Sequence, residues 1–301
     1  MTDTLPVTVV IPTYDRAHTL VRILPSILRQ PIREILIVDD ASPSEILPTL
    51  RANGMHDPRL RTHRLAHNQG SPAARNIGAE QASSPYLLFV DDDVLLLPGH
   101  VETLLQHLID NKADLAAGRR IWQRPFETIE EATSQRGAVV CSTHLVNRRY
   151  ISFEDEADFA TDTVLPLIGA TMLGRRDLFL RIRYEETLFR RTGWREETDF
   201  QVRAGLAGAR LLACRHAIAV HLPKNQVGRG GGQRAGKRAT YEYHILINNI
   251  RFLRRHRKSL ASLGLNAGPS PVIGAIAAYV GYRIPSKIRS MLKRDPGGSP
   301  R

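Results

Sequence analysis

Tyr86-Leu87-Leu88-Phe89-Val90-Asp91-Asp92-Asp93-Val94 is the stretch whose reading decides the fold. Its apolar run, Tyr86 to Val90, makes a strand buried on both faces. The adjacent carboxylates at its end raise one another's pKa and repel. A strand that ends this way has to deliver its acids to something cationic, and oxygen ligands suit a hard divalent ion such as Mg2+ or Mn2+. The plainer alternative is a solvated turn in which Asp92 and Asp93 open the next helix.

Working back from the triplet, the same plan repeats. Val7-Thr8-Val9-Val10-Ile11 is a β-branched run closed by Pro12, and Pro12-Thr13-Tyr14-Asp15-Arg16 is the loop that follows. Leu20, Ile23, Leu24, Ile27 and Leu28 recur at helical spacing. Ile35-Leu36-Ile37-Val38 is a second buried strand, and it too ends in acids, Asp39-Asp40. The spacing predicts a helix over 44–52, an edge strand over 59–65 and a helix from Ser71, where Ser71 can cap and Pro72 can occupy the first turn. Strand and helix alternating up to Val90 is a doubly wound α/β pattern. Parallel strands carry their C-terminal ends to one edge, so the two acidic loops share it, and ligands of open α/β sheets bind there.

After Gly99 the pattern loosens. A helix over 100–111 and a strand over 114–117 are expected, then irregular chain from 119 to 165. Leu165 to Leu173 is apolar around Gly169 and has the composition of a strand approached by a ligand. Glu196 to Ala207 is helical, and two strands, 211–214 and 217–220, end at His221. The run Val227 to Gly232 is a flexible loop. Tyr241 to Leu263 has the pattern of a long basic helix with Ile245, Ile247, Ile250 and Leu253 on its apolar side. Val272 to Val280 is apolar but too short to span a bilayer. It suits a helix lying on a surface or docked on the protein's own core.

The chain has 301 residues, 42% of them hydrophobic, enough for one large α/β domain. Cys141 and Cys214 are too few for a disulfide framework, and no basic segment followed by an apolar run precedes the first strand. Both point to a reducing, cytoplasmic setting. The net charge of +12 is concentrated late, over 224–238, 251–258 and 283–294. That distribution suits contact with anionic membrane at its inner face. With no zinc-finger or RNA-recognition signature, nucleic acid is not an expected partner.

Val7 to Arg16, Ile37-Val38-Asp39-Asp40-Ala41-Ser42, Gly70 with Ala74-Arg75-Asn76, and Asp91-Asp92-Asp93 together resemble the family 2 glycosyltransferases of GT-A fold, in order and spacing. The resemblance continues at Gly169-Ala170-Thr171-Met172 and at Trp194 to Phe200, with Arg203 following, and covers residues 5 to 222. It implies a single GT-A domain over 1–222, Rossmann-like with a mostly parallel sheet. Residues 1–114 would hold a nucleotide sugar and 115–222 the acceptor, and a Gly-rich loop and basic helical extension would fill 223–301.

The resemblance also implies roles. Pro12, Thr13, Tyr14 and Arg16 would line the nucleotide. Asp40, beside Asp39, would accept from the N–H of a uracil-like base, since a carboxylate only accepts. Arg75 would face the diphosphate as a bidentate cation. Asp91 and Asp93 would hold a divalent ion bridging the donor phosphates, Asp93 as the direct ligand and Asp91 toward ribose or metal-bound water. Asp92 would be a donor-side contact or a spacer. Glu196-Glu197 stands where the family has a Glu-Asp pair. Register to Arg203 makes Glu197 the general base, and the longer Glu leaves Glu196 and Asp199 in play. Trp194 would stack on an acceptor sugar or pack in the core. His221 would join the metal site or close a strand. Lys224 and Arg229, with the glycines near them, would form a lid.

The implied activity is inverting, metal-dependent transfer from a nucleotide sugar, UDP-linked, to a hydroxyl on a saccharide, a lipid-linked acceptor or a small molecule. Cell-surface polysaccharide or glycolipid synthesis is the setting it suggests. Two rivals stand beside it. A sugar-1-phosphate nucleotidyltransferase would want a glycine-rich basic loop after the first strand, and residues 12–16 contain no glycine. A non-catalytic sugar-nucleotide or glycan-binding protein would have no use for every acid.

Overall fold

Alternation along the first strand sets up the layers. In β1 (Leu5–Thr13), Val7, Val9 and Ile11 enter one apolar cluster and Val10 enters another, so both faces of the strand are covered. The computed structural model describes residues 4–134, 139–148, 150–189, 192–227, 238–266, 268 and 270–283. After β1 come α1 (Ala17–Leu28), β2 (Ile32–Asp39), α2 (Ile46–Ala52), β3 (Leu60–Arg64), α3 (Ser71–Gln81), β4 (Tyr86–Phe89), β5 (Val94–Leu96) and α4 (His100–Asp110). Then follow β6 (Leu115–Trp122), α5 (Ile129–Ser134), and the two-residue strands β7 (Val139–Val140), β8 (Val146–Asn147), β9 (Ser152–Phe153), β10 (Asp158–Phe159) and β11 (Thr163–Val164). The chain closes with β12 (Met172–Arg175), α6 (Arg176–Ile182), α7 (Glu196–Leu206), β13 (Leu211–His221), α8 (Arg238–His256) and α9 (Pro271–Ala278).

Nine strands form the central sheet in the order β11-β13-β6-β12-β4-β1-β2-β3, with β5 paired to β13. The α/β class expected from the sequence holds. The sheet, however, is mixed rather than mostly parallel. β1, β2, β3 and β4 run parallel, as do β6 and β13, and β12 joins the two blocks antiparallel to both β4 and β6. One antiparallel strand between two parallel blocks leaves both blocks pointing the same way. The C-terminal ends of β1, β2, β4, β6 and β13 therefore share one edge.

Helices α1 and α4 cover one face, through Leu20, Ile23, Leu24 and Ile27 and through Val101, Leu104, Leu105 and Leu108. Each such aliphatic side chain, fully buried, contributes roughly 2 kcal/mol of transfer free energy. Helices α3, α6 and α7 cover the other face. Gly78 lets α3 lie directly on β1, since a Cβ there would come within 2.3 Å of Val10 Cγ1. A third cluster, with Val146, Ile151, Phe189, Val202, Phe252 and Leu253, docks α8 and its neighbours on the domain.

Several segments differ from expectation. The run 165–173 is largely loop, and its strand is Met172–Arg175. The two expected strands at 211–220 are one, β13, with a register shift between Ala213 and Ile218. β6 continues to Trp122, well past Ala117. The long basic helix ends at His256, and a 3-10 turn covers Leu260–Leu263. β5 and α6 had no separate signal. Lys224 begins a short 3-10 turn. Arg229 and the Gly-rich loop lie outside the described residues, as does the basic segment beyond 283. No described helix is long and apolar enough to cross a membrane.

Candidate active site

The shared carboxyl edge collects Thr13 at the end of β1 and Arg16 beyond it, Asp39 and Asp40 at β2, Asp91 to Asp93 after β4, Trp122 at β6 and His221 at β13. β5 does the fine placement. It turns back from the triplet and pairs Val94 with His221, and Leu222 N–H donates to the Asp93 carbonyl at 2.8 Å. The end of β13 is thereby fixed against the acids.

The three aspartates face different partners. Asp92 is buried and accepts from Thr13 Oγ1 at 2.8 Å and from Arg16 Nη1 at 2.5 Å. Burial, with Asp93 alongside, lifts its carboxyl to about 6 even against Arg16. Asp93 is also buried. Its Oδ2 lies 3.1 Å from the same Arg16 nitrogen and its Oδ1 3.3 Å from His221 Nε2. Asp91 is the most open of the three, and its oxygens face Arg75 Nη2 at 2.8 Å and Arg120 Nη1 at 3.6 Å. Burial acts to raise Asp91, but Arg75 and Arg120 outweigh it and hold the carboxyl below its ordinary value.

His221 supplies a test of whether these residues suit a divalent ion. Its Nδ1 lies 2.8 Å from the Leu222 carbonyl, which only accepts, so Nδ1 carries the hydrogen. Burial lowers the ring's pKa and keeps it neutral. Nε2 then presents a lone pair to a carboxylate oxygen of Asp93. Two acceptors at that separation call for a cation between them, and nitrogen plus carboxylate oxygen suits Mn2+. The Trp122 ring stacks on the imidazole at 4.0 Å and fixes its plane.

Arg75, on α3, is the hub. It is 3% exposed. Its Nη1 donates to Glu196 Oε1, and its Nη2 donates to Asp91 at 2.8 Å and to Glu197 at 3.1 Å. One guanidinium cannot balance three ionised carboxylates. Burial, with Glu197 nearby, pushes the Glu196 carboxyl up to about 8, so a proton rests there. Its Oε2 is buried without a partner. Gly193, at φ +62°, makes room for that oxygen, which a Cβ would approach to 2.8 Å. Burial raises Glu197 too, but Glu197 reaches solvent, its side chain 24% exposed against 2% for Glu196.

The remaining sites are placed as follows. Asp40 accepts from the backbone N–H of Gln69 at 2.7 Å and Gly70 at 2.8 Å, tying down the loop that enters α3. Asp39 is held by Ser42 and by Arg64 at 2.8 Å. Pro12 is buried within β1, and Tyr14 is half-buried beside it. Asp199 is apart from the cleft acids. It is wholly buried and bonded to His256 Nε2 and Arg203 Nε, both at 2.7 Å. Trp194 turns toward α8, its Nε1 3.4 Å from Asn249 Oδ1. Arg120 and Trp122 were not singled out from the sequence, because 119–165 has no regular periodicity. Continuing the apolar run of β6 by its neighbour's length would have reached both. Arg195 was also missed. It grips Asn249 at 2.6 Å and the Tyr150 carbonyl at 2.9 Å, fixing the start of α7.

Fold and edge define an open-sheet α/β domain, a class in which ligands bind at the carboxyl ends of the strands. The sequence model described as Glycosyl transferase family 2 matches residues 8–183, more than half of the chain, and the protein belongs to that family. That match ends before Trp194. Among curated relatives, the glycosyltransferase GlyG of Streptococcus pneumoniae is 32% identical over 114 residues, 37% of this chain and 38% of that protein. The poly(ribitol-phosphate) beta-N-acetylglucosaminyltransferase TarP of Staphylococcus aureus is 28% identical over 138 residues, 44% of this chain and 42% of its own. The matches thus span less than half the length of these relatives. A crystal structure of S. aureus TarS 1-349 in complex with UDP-GlcNAc superposes with a TM-score of 0.55 at 17% identity, covering 97% of this chain and 77% of that one, a likeness of fold.

Proposed function

We propose that the protein is a metal-dependent, inverting glycosyltransferase that moves a sugar from a UDP-linked donor to an acceptor hydroxyl in the synthesis of a cell-surface polysaccharide or glycolipid. Residues 1–114 hold the donor and 115–222 the acceptor. Two free cysteines, one exposed and one buried, fit work in the cytoplasm. The observation that carries the reading is the pairing of His221 and Asp93, lone pair to carboxylate, at the edge whose Asp91 shares Arg75 with Glu197.

Asp93 and His221 would hold the divalent ion, with Asp91 toward ribose or metal-bound water. When bound, the ion supplies charge neutralisation to the departing nucleoside diphosphate. Arg16 sits where a phosphate would approach and exchanges carboxylate for phosphate as the donor enters. Asp40 keeps lone pairs for the base N–H, although both its oxygens anchor the loop. Glu197 takes the acceptor proton. It reaches solvent, its pKa is raised toward the working range, and Arg75 orients it. Glu196 keeps its proton, so Arg75 is left to Asp91 and Glu197.

The test is release of nucleoside diphosphate from a panel of sugar nucleotides, with Mn2+ and with chelator, with and without candidate acceptor hydroxyls. Release from a UDP-sugar that needs Mn2+ is expected. Equal release under chelation would overturn the metal assignment, and tight nucleotide binding without turnover would favour a binding protein.

A further inference from the structure

We propose that the outer face of α9 docks on an anionic lipid bilayer. Ala275 is fully buried and anchors the helix on the third apolar cluster. On its other side, Val272, Ile273 and Ile276, with Val280 in the π-helical turn that follows, are 44%, 56%, 48% and 54% exposed. Their spacing brings them to one side of the helix. Pro271 in the first turn and the Ser270 cap, whose Oγ accepts from Ile273 N–H at 3.1 Å, start it cleanly. A solvated helix face would not keep this many β-branched aliphatic side chains together.

Charge selects the occupant. Residues 251–301 hold eleven of the chain's 42 Arg and Lys and one of its 30 Asp and Glu, which places ten of the net twelve positive charges there. Arg254, Arg255, Arg257 and Lys258 are exposed at the end of α8 and just beyond it. An aliphatic patch within so basic a segment matches the boundary between acyl chains and anionic headgroups. A second copy would bring two such segments together and be repelled. Nucleic acid has no use for aliphatic side chains. At eight residues α9 is too short to cross, so it lies along the surface.

The docked helix bears on the site. Ala278 and Tyr279 line a small cavity with Trp194, Arg195 and Asn249, immediately before Glu196 and Glu197. Docking therefore sets the start of α7 near the bilayer, where a lipid-linked acceptor would be presented. That last step rests on the proposed transferase reading, whereas the docking itself does not.

The experiment is co-sedimentation of the full chain with vesicles of phosphatidylcholine alone or mixed equally with phosphatidylglycerol. Binding is expected only to the anionic vesicles and should fall as salt rises to about 0.5 M. The double variant Ile273→Glu with Ile276→Glu should lower the bound fraction about tenfold, because charge replaces the inserted apolar face. Its melting temperature and its thermal shift with nucleotide should not change. Equal binding to neutral vesicles, or a double variant that pellets like the parent, would overturn the proposal. So would a parent that is dimeric without lipid and a variant that is monomeric, since the face would then belong to a second copy.

Discussion

Two groups of buried acids sit on this chain and are handled in opposite ways. Asp199 has each oxygen taken by a close partner, His256 and Arg203 at 2.7 Å, and Arg255 stands behind at 3.6 Å. Those contacts join α7 to α8. At the cleft, Asp91, Asp92, Asp93, Glu196 and Glu197 share Arg16, Arg75 and Arg120, and no acid has a cation to itself. Saturated acids hold a fold together. Acids left short of positive charge have lone pairs to give, with raised pKa values at Asp92, Glu196 and Glu197, and that deficit is what a metal and a diphosphate can use.

The sharpest way to break this contrast is Asp93→Ala. Metal-stimulated release of nucleoside diphosphate should fall on the order of a thousandfold, several kcal/mol of charge stabilisation, with the urea unfolding midpoint little changed. An unaltered rate would put Asp93 among the structural acids. Asp199→Ala should do the reverse. It leaves His256 Nε2 and Arg203 Nε without their carboxylate and should cost on the order of 3 kcal/mol of stability in urea unfolding. Nucleotide binding by the folded fraction should persist, and a variant that is stable but inactive would erase the distinction.

Within the cleft, Glu197→Gln should lower kcat about a hundredfold or more with little change in donor KM. Glu196→Gln should keep most of the rate, because the glutamine matches a carboxyl that already holds its proton. The opposite ranking would move the base to Glu196. The smallest effect is on stability against pH. The Glu196 carboxyl is raised from 4.5 to about 8 in the folded protein. The folded state thus keeps a proton that the unfolded chain has lost, and this group's contribution to stability falls as pH rises from 4.5 through 8. Thermal melts of Glu196→Gln across that range should show a shallower fall. The part below about 6 that comes from Asp92 should remain.

What the sequence made legible follows from local pattern. The runs at 7–11, 35–38 and 86–90 are continuous β-branched or apolar stretches, so their strands and the acids at the ends of the last two could be placed on one edge before any contact was known. β5 and β12 were harder. Val94–Leu96 is three residues long, and β12 gains its place by pairing antiparallel between two strands distant in sequence. Neither feature has a periodic signature. The placement of Arg16 and Arg75 shows a different limit. Their side-chain type announced an anion, but whether that anion is a phosphate or a neighbouring carboxylate depends on packing across 76 and 121 residues of chain. The same holds for Arg120 and Trp122, whose importance lies in what stands opposite.

Arg75 also bears on how such a domain can be recombined. It comes from α3, within the part that the family match covers, and it clasps the two glutamates of α7, beyond it. A graft that exchanged everything after residue 183 would inherit one half of a charge balance and have to meet it with the other. The seam at which specificity could be swapped is therefore chemical before it is architectural, and a compatible insert must arrive with its acids already matched to a guanidinium it does not carry.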